Sequence, residues 1–140
     1  MFQRESLGLD EAEKARDAIL GALNATDNPI ALAIADDRGV PVLLFRQDGA
    51  PARMLRRARA KAYTAANLGL DTVDFRNHEV WGREGRTLDD YGDPMITSLQ
   101  GGIAIKHSGK IVGAIAMSGN TTLRDEALAA IGLKAMGVLG

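Results

Sequence analysis

Residues 51–69 read PARMLRRARAKAYTAANLG, and how this stretch folds decides the rest. Plotted at roughly 100° per residue, Met54, Leu55, Ala58, Ala62, Ala65 and Ala66 share one side, a stripe wide enough to bury. Arg53, Arg56, Arg57, Thr64 and Asn67 take the other. Pro51 suits a helix start and Gly69 a helix stop, so the spacing predicts one basic helix lying across a sheet. Lys61 breaks the sorting. It sits at the seam, one turn before Ala65, where a lysine either snorkels along its stem to water or meets an anionic partner; snorkelling is the plainer expectation.

The segments on either side supply that sheet. Ile30 to Ala35 alternates large and small residues without a charge, as in a strand covered on both faces with alanine where a helix lies close. Asp36-Asp37-Arg38-Gly39 is a turn, and Val42 to Arg46 returns antiparallel. Upstream, Asp10 and Glu13 have the spacing of a capping box for a helix that buries Ala12, Ala15, Ala18, Ile19, Ala22 and Leu23. Downstream, 101–106 and 110–117 form a second hairpin about His107-Ser108-Gly109. A last helix follows, capped by Thr121 or Thr122, with Asp125 and Glu126 at its positive end. Residues 70–95 are irregular, with a short helix expected near 71–78 and a long loop after it. That loop carries His78, Trp81 and Tyr91 with nothing local to pack on, as a lid or subunit contact would. A strand at 95–99 is also expected. Helices and hairpins in this order give an antiparallel α+β fold rather than a parallel one.

The totals bound the function. At 140 residues the chain makes one domain, 1–140, with a core of its own. A net charge of −1 argues against bulk electrostatic binding to nucleic acid or an anionic membrane. Without cysteine there is no disulfide, thiolate metal site or thiol nucleophile. No stretch approaches the roughly 18 apolar residues of a spanning helix, and the N-terminus lacks the apolar core of a signal peptide. The reading is a cytoplasmic protein.

The motif order is specific. Asp37-Arg38-Gly39, Gln47-Asp48-Gly49-Ala50 and Lys61-Ala62-Tyr63-Thr64-Ala65-Ala66 are followed by Gly101-Gly102-Ile103-Ala104-Ile105, Ile111-Val112-Gly113-Ala114-Ile115 and Ser118-Gly119-Asn120-Thr121. In that order they resemble the HbpS/GlcG family of haem-binding and haem-degrading-type domains, from about Leu9 to Gly137. The resemblance implies a profilin-like α+β fold, with an antiparallel sheet flanked by helices, and assembly into homo-oligomers from dimer to octamer. It also implies haem as a cofactor, since several members bind haem and some are reported to degrade it. Members occur alone, beside glycolate and aromatic catabolism enzymes, and as a terminal domain of cobalamin adenosyltransferases. Two positions depart from the family's pattern: Ala60, where an aspartate is common, and Gln100, where a proline is common.

Haem needs an apolar slot, one or two axial donors and cations for its propionates. The donors in this sequence are His78, His107, Met54, Met95, Met117, Tyr63 and Tyr91. His107, in a hairpin tip, reads as an exposed turn histidine; His78, in the irregular loop near Trp81, is one candidate haem ligand, and no donor is singled out as the axial one. Arg56, Arg57 and Lys61 could hold propionates, or be a solvated or subunit-contact face. The ligand-contact set is Met54, Arg57, Lys61, Gly101, Gly102, Ser118 and Thr121. A second reading is a small-molecule enzyme, isomerase- or tautomerase-like, in a carboxylate or aromatic catabolic pathway. Lys61 would then bind a carboxylate or act as a base, with Ser118, Gly101-Gly102 and the helix start at Thr121 holding an anion. A third is an accessory subunit that lends an oligomer surface to a pathway enzyme. No metalloprotease helix motif, nucleophile elbow or phosphate loop is present.

Overall fold

The computed structural model describes residues 1–80, 82 and 87–139; Trp81 lies outside them. Helix α1 spans Leu9–Ala22, followed by strands β1 (Ala31–Asp36) and β2 (Pro41–Arg46) and helix α2 (Ala52–Leu68). A short helix α3 (Thr72–Asp74) runs into a π-helical turn over Phe75–Val80, and a 3-10 turn covers Leu88–Tyr91. Strands β3 (Gly102–His107) and β4 (Lys110–Ser118) and helix α4 (Thr122–Ala135) complete the described elements. The strands form one antiparallel sheet in the order β2-β1-β4-β3, so the expected α+β class is observed.

The large–small alternation of β1 and β4 sorts the two faces. Leu32, Ile34, Ile115 and Met117 point to one side, where they pack with Ala12, Ala15 and Ile19 of α1 and Leu128 and Ala129 of α4. Ala31, Ala33, Ala35, Ala114 and Ala116 point to the other and meet Met54, Ala58, Ala62 and Ala65 of α2. Registration keeps like with like: Ile34 stands opposite Ile115, and Ala33 opposite Ala116. Each fully buried Ile, Leu or Met contributes about 1.5–3 kcal/mol, so the α1/α4 face supplies most of the hydrophobic stabilisation. The alanine face instead lets the α2 backbone come close to the sheet. Among the described residues no helix is long and apolar enough to cross a membrane.

Four expectations are corrected. Helix α1 starts from Gly8, whose N–H donates to Glu11 Oε2 (3.2 Å), not from an Asp10–Glu13 box. Leu7 fixes that earlier start: it is buried, and its N–H donates to Val112 O (2.9 Å). Thr64 is fully buried rather than on the arginine side. Its hydroxyl donates to Ala60 O (2.8 Å) and accepts from Thr97 N (3.0 Å), so a small polar side chain is satisfied on a packed face. That second bond also explains why 95–99 is not a strand: Thr97 spends its N–H on α2 instead of on a neighbouring strand. Finally, Tyr91 does find a local partner, lying edge-on to the buried Phe75 with ring centroids 5.1 Å apart.

Candidate functional site

Lys61 does not snorkel. It is 2% exposed, and its Nζ donates to Met117 O (2.7 Å) and lies 3.4 Å from Asp125 Oδ2. Helix α2 covers the alanine face and α4 the other, so the pair joins elements from opposite sides of the sheet. The route runs past Gly101, where the backbone adopts φ +127°. A methyl group built there would stand 2.8 Å from Lys61 Nζ and 3.1 Å from Met117 O. At Gly102 it would stand 2.7 Å from Lys61 O. The two glycines are therefore the clearance through which α2 and its lysine reach the sheet end.

Asp125 is placed by the first turn of α4. Its Oδ1 accepts from Asn120 N (3.1 Å), and Thr121 caps the helix by accepting from Arg124 N (3.2 Å). Burial pushes the Lys61 ammonium below its ordinary range, and Asp125 pushes it back. Burial likewise raises the Asp125 carboxyl, and the facing Lys61 opposes that rise. Exposed Arg57, one turn before Lys61, disfavours charge on the lysine and favours it on the aspartate.

Of the residues singled out from the sequence, Lys61, Gly101 and Gly102 come together, with Arg57 in electrostatic reach. Ser118 directly follows Met117 and is buried, its hydroxyl without a hydrogen-bond partner among the described residues. Thr121 is exposed and occupied with its capping role, and Met54 is packed into the alanine layer. The sequence reading missed Asp125 as Lys61's partner, having assigned it only to the helix dipole. It also missed Gln100, which is buried and accepts from Arg76 Nη2 (3.3 Å) while donating to Glu126 Oε2 (3.1 Å). A proline there could do neither. The one available signal was a lysine on an apolar seam 64 residues before an acidic first helical turn.

The metal-donor side chains are scattered. Met54 and Met117 are in the core, and Tyr63 OH donates to Asp93 Oδ2. That bond raises the Tyr63 phenol and lowers the Asp93 carboxyl. Met95 and His107 are half-buried and His78 is exposed. Among the described residues no three His, Asp or Glu side chains converge as a metal site.

The family model described as "Haem degrading protein HbpS-like" matches residues 7–134. The chain belongs to the HbpS-like family. It is 33% identical over 89 residues to Protein GlcG of Escherichia coli (strain K12), a match covering 64% of this chain and 63% of GlcG. The chain thus spans just under two thirds of that relative. The crystal structure of HbpS is 27% identical, with a TM-score of 0.85, covering 98% of this chain and 94% of HbpS. A PduOC:heme complex has the same fold at 20% identity, with a TM-score of 0.85 and coverage of 96% and 97%.

Proposed function

We infer that this HbpS-like chain is a haem-binding protein that acts as a homo-oligomer, and that it holds haem in a solvent-open cleft rather than between α2 and the sheet. The observation that carries the reading is likeness to HbpS over nearly the whole of both chains, at 27% identity. The same fold in a PduOC:heme complex supports it.

The surface of this chain carries the residue types such a group needs. His78, His107 and Met95 are donors not sealed in the core, and one suffices for an axial bond. Arg53, Arg56 and Arg57 are exposed and carry no ion pair among the described residues, so they are free for carboxylates. The α2–sheet interface does not fit. Nine of its alanines are at most 5% exposed, and Gly101 and Gly102 lack room for a methyl group, far less a macrocycle. When bound, haem supplies an iron centre; the chain supplies the donor, the apolar wall and the cations. For assembly, the outward side of α4 offers Leu123 and Ile131, both exposed, beside exposed Ala127 and Ala130. Such a stripe is what a second copy covers.

Native mass spectrometry of the purified chain, with and without added hemin, tests this. A mass gain of one hemin per chain is expected. An unchanged mass after hemin addition overturns the reading.

A further inference from the structure

The two edges of the sheet are treated differently, and we propose that the open one, β2, pairs antiparallel with β2 of a second copy of this chain, joining two four-stranded sheets into one. This rests on the homo-oligomer reading above and adds to it a surface separate from the α4 stripe. At the β3 edge the chain closes its own backbone. Gly102 N donates to Thr72 Oγ1 (3.0 Å) and Ala104 N to Asp71 Oδ1 (3.0 Å), so side chains at the start of α3 take the places a further strand would fill.

At the β2 edge nothing of the kind occurs among the described residues. Gln47 N donates inward to Ile30 O (2.9 Å). Backbone groups alternate along an antiparallel strand, so Phe45 and Leu43 also face β1, while Arg46 and Leu44 turn their N–H and C=O outward. Neither outward N–H has a partner among the described residues. Natural edges are blunted by proline, irregular register or charge. Here proline and the register shift are confined to the start of the strand, at Pro41. Val42 to Phe45 then runs without a charge, and Arg46 is turned aside, its Nη1 donating to Ala50 O (2.6 Å). Large apolar side chains flank this edge in the open: Val40 is 56% exposed and Leu44 42%. The occupant that fits is a second copy. Under a twofold axis an antiparallel edge offers itself the donors and acceptors it lacks, and an uncharged run brings no repulsion to the seam.

Amide hydrogen exchange on the full chain, resolved by mass spectrometry with fragmentation and paired with light scattering in the same buffer, tests this. In the assembly, Leu44 and Arg46 should be protected, and their protection should fade as dilution releases monomer. Leu43 and Phe45, bonded to β1, should stay protected throughout. Leu44→Lys, at an exposed position, sets like charges at the seam and should at least halve the assembled mass with circular dichroism unchanged. Should that variant fail to fold, exchange in the wild type decides alone. If the chain assembles but Leu44 and Arg46 exchange as fast as Asp48 in the exposed turn, or if folded Leu44→Lys keeps the wild-type mass, the β2 seam is wrong and the homo-oligomer reading survives. If the wild type is monomeric at micromolar concentration, both fall together.

Discussion

Lys61 and Asp125 meet at 3.4 Å although their helices cover opposite faces of the sheet, and both are buried. The contact ties the middle of α2 to the first turn of α4 around the end of β3 and β4. Removing one partner strands the other charge in the interior, which costs about 3–5 kcal/mol. Lys61→Met and Asp125→Asn should each lower the free energy of urea unfolding by that order. The double variant should lose clearly less than the sum, because neither charge is then left alone. Additive losses would mean the pair is not coupled.

Three glycines should respond to alanine in different directions. Gly21, inside α1, has nothing within 4 Å of a built Cβ, so alanine there should stabilise by about 0.5–1 kcal/mol. At Gly132, in α4, the methyl would sit 2.7 Å from the tips of Ile19 and Ile115. Overpacking of about 1–3 kcal/mol outweighs the helix gain, and the variant should be destabilised. Gly101→Ala adds backbone strain at φ +127° to its 2.8 Å contact with Lys61, and should be destabilised as well. Thermal melts of the three variants check the order.

Acid sensitivity should pass through Asp27. Hydrogen bonding to the Arg124 side chain lowers its carboxyl from 3.8 to about 2. A carboxyl lowered in the folded state adds stability above its unfolded value, and that stability disappears as the pH falls from about 4 to about 2. Asp125 and Asp71, both raised by burial, act with the opposite sign. The readout is therefore the difference between wild type and Asp27→Asn. It should be present at pH 7 and close between pH 4 and 2 in urea midpoints. A constant difference across that range would contradict the assignment.

Assembly should depend on the outer side of α4. Leu123→Lys combined with Ile131→Lys should shift the species seen by size-exclusion chromatography with light scattering towards monomer, with circular dichroism unchanged. A wild type that is itself monomeric at micromolar concentration would remove the oligomer from the account.

Much of this architecture was legible in the chain. Ile30 to Ala35 announced a strand with one bulky face and one alanine face, and the second hairpin and the stop at Gly69 followed from local turn chemistry. Thr64 was misread because a helical wheel sorts by polarity, and polarity does not reveal a hydroxyl satisfied by Ala60 O and Thr97 N. Lys61 was visibly anomalous, but its partner lies 64 residues on, at a distance no local pattern spans. Likewise, the anchoring of His107 by Val138 O depends on how the C-terminus folds back, which the hairpin sequence does not encode.

The central claim is that this chain binds haem, and an equilibrium hemin titration of the purified full chain, followed at the Soret band, addresses it most directly. The account predicts saturation at one hemin per chain, with a spectrum distinct from free hemin in the same buffer. A linear, unsaturating rise with the spectrum of free hemin would contradict it.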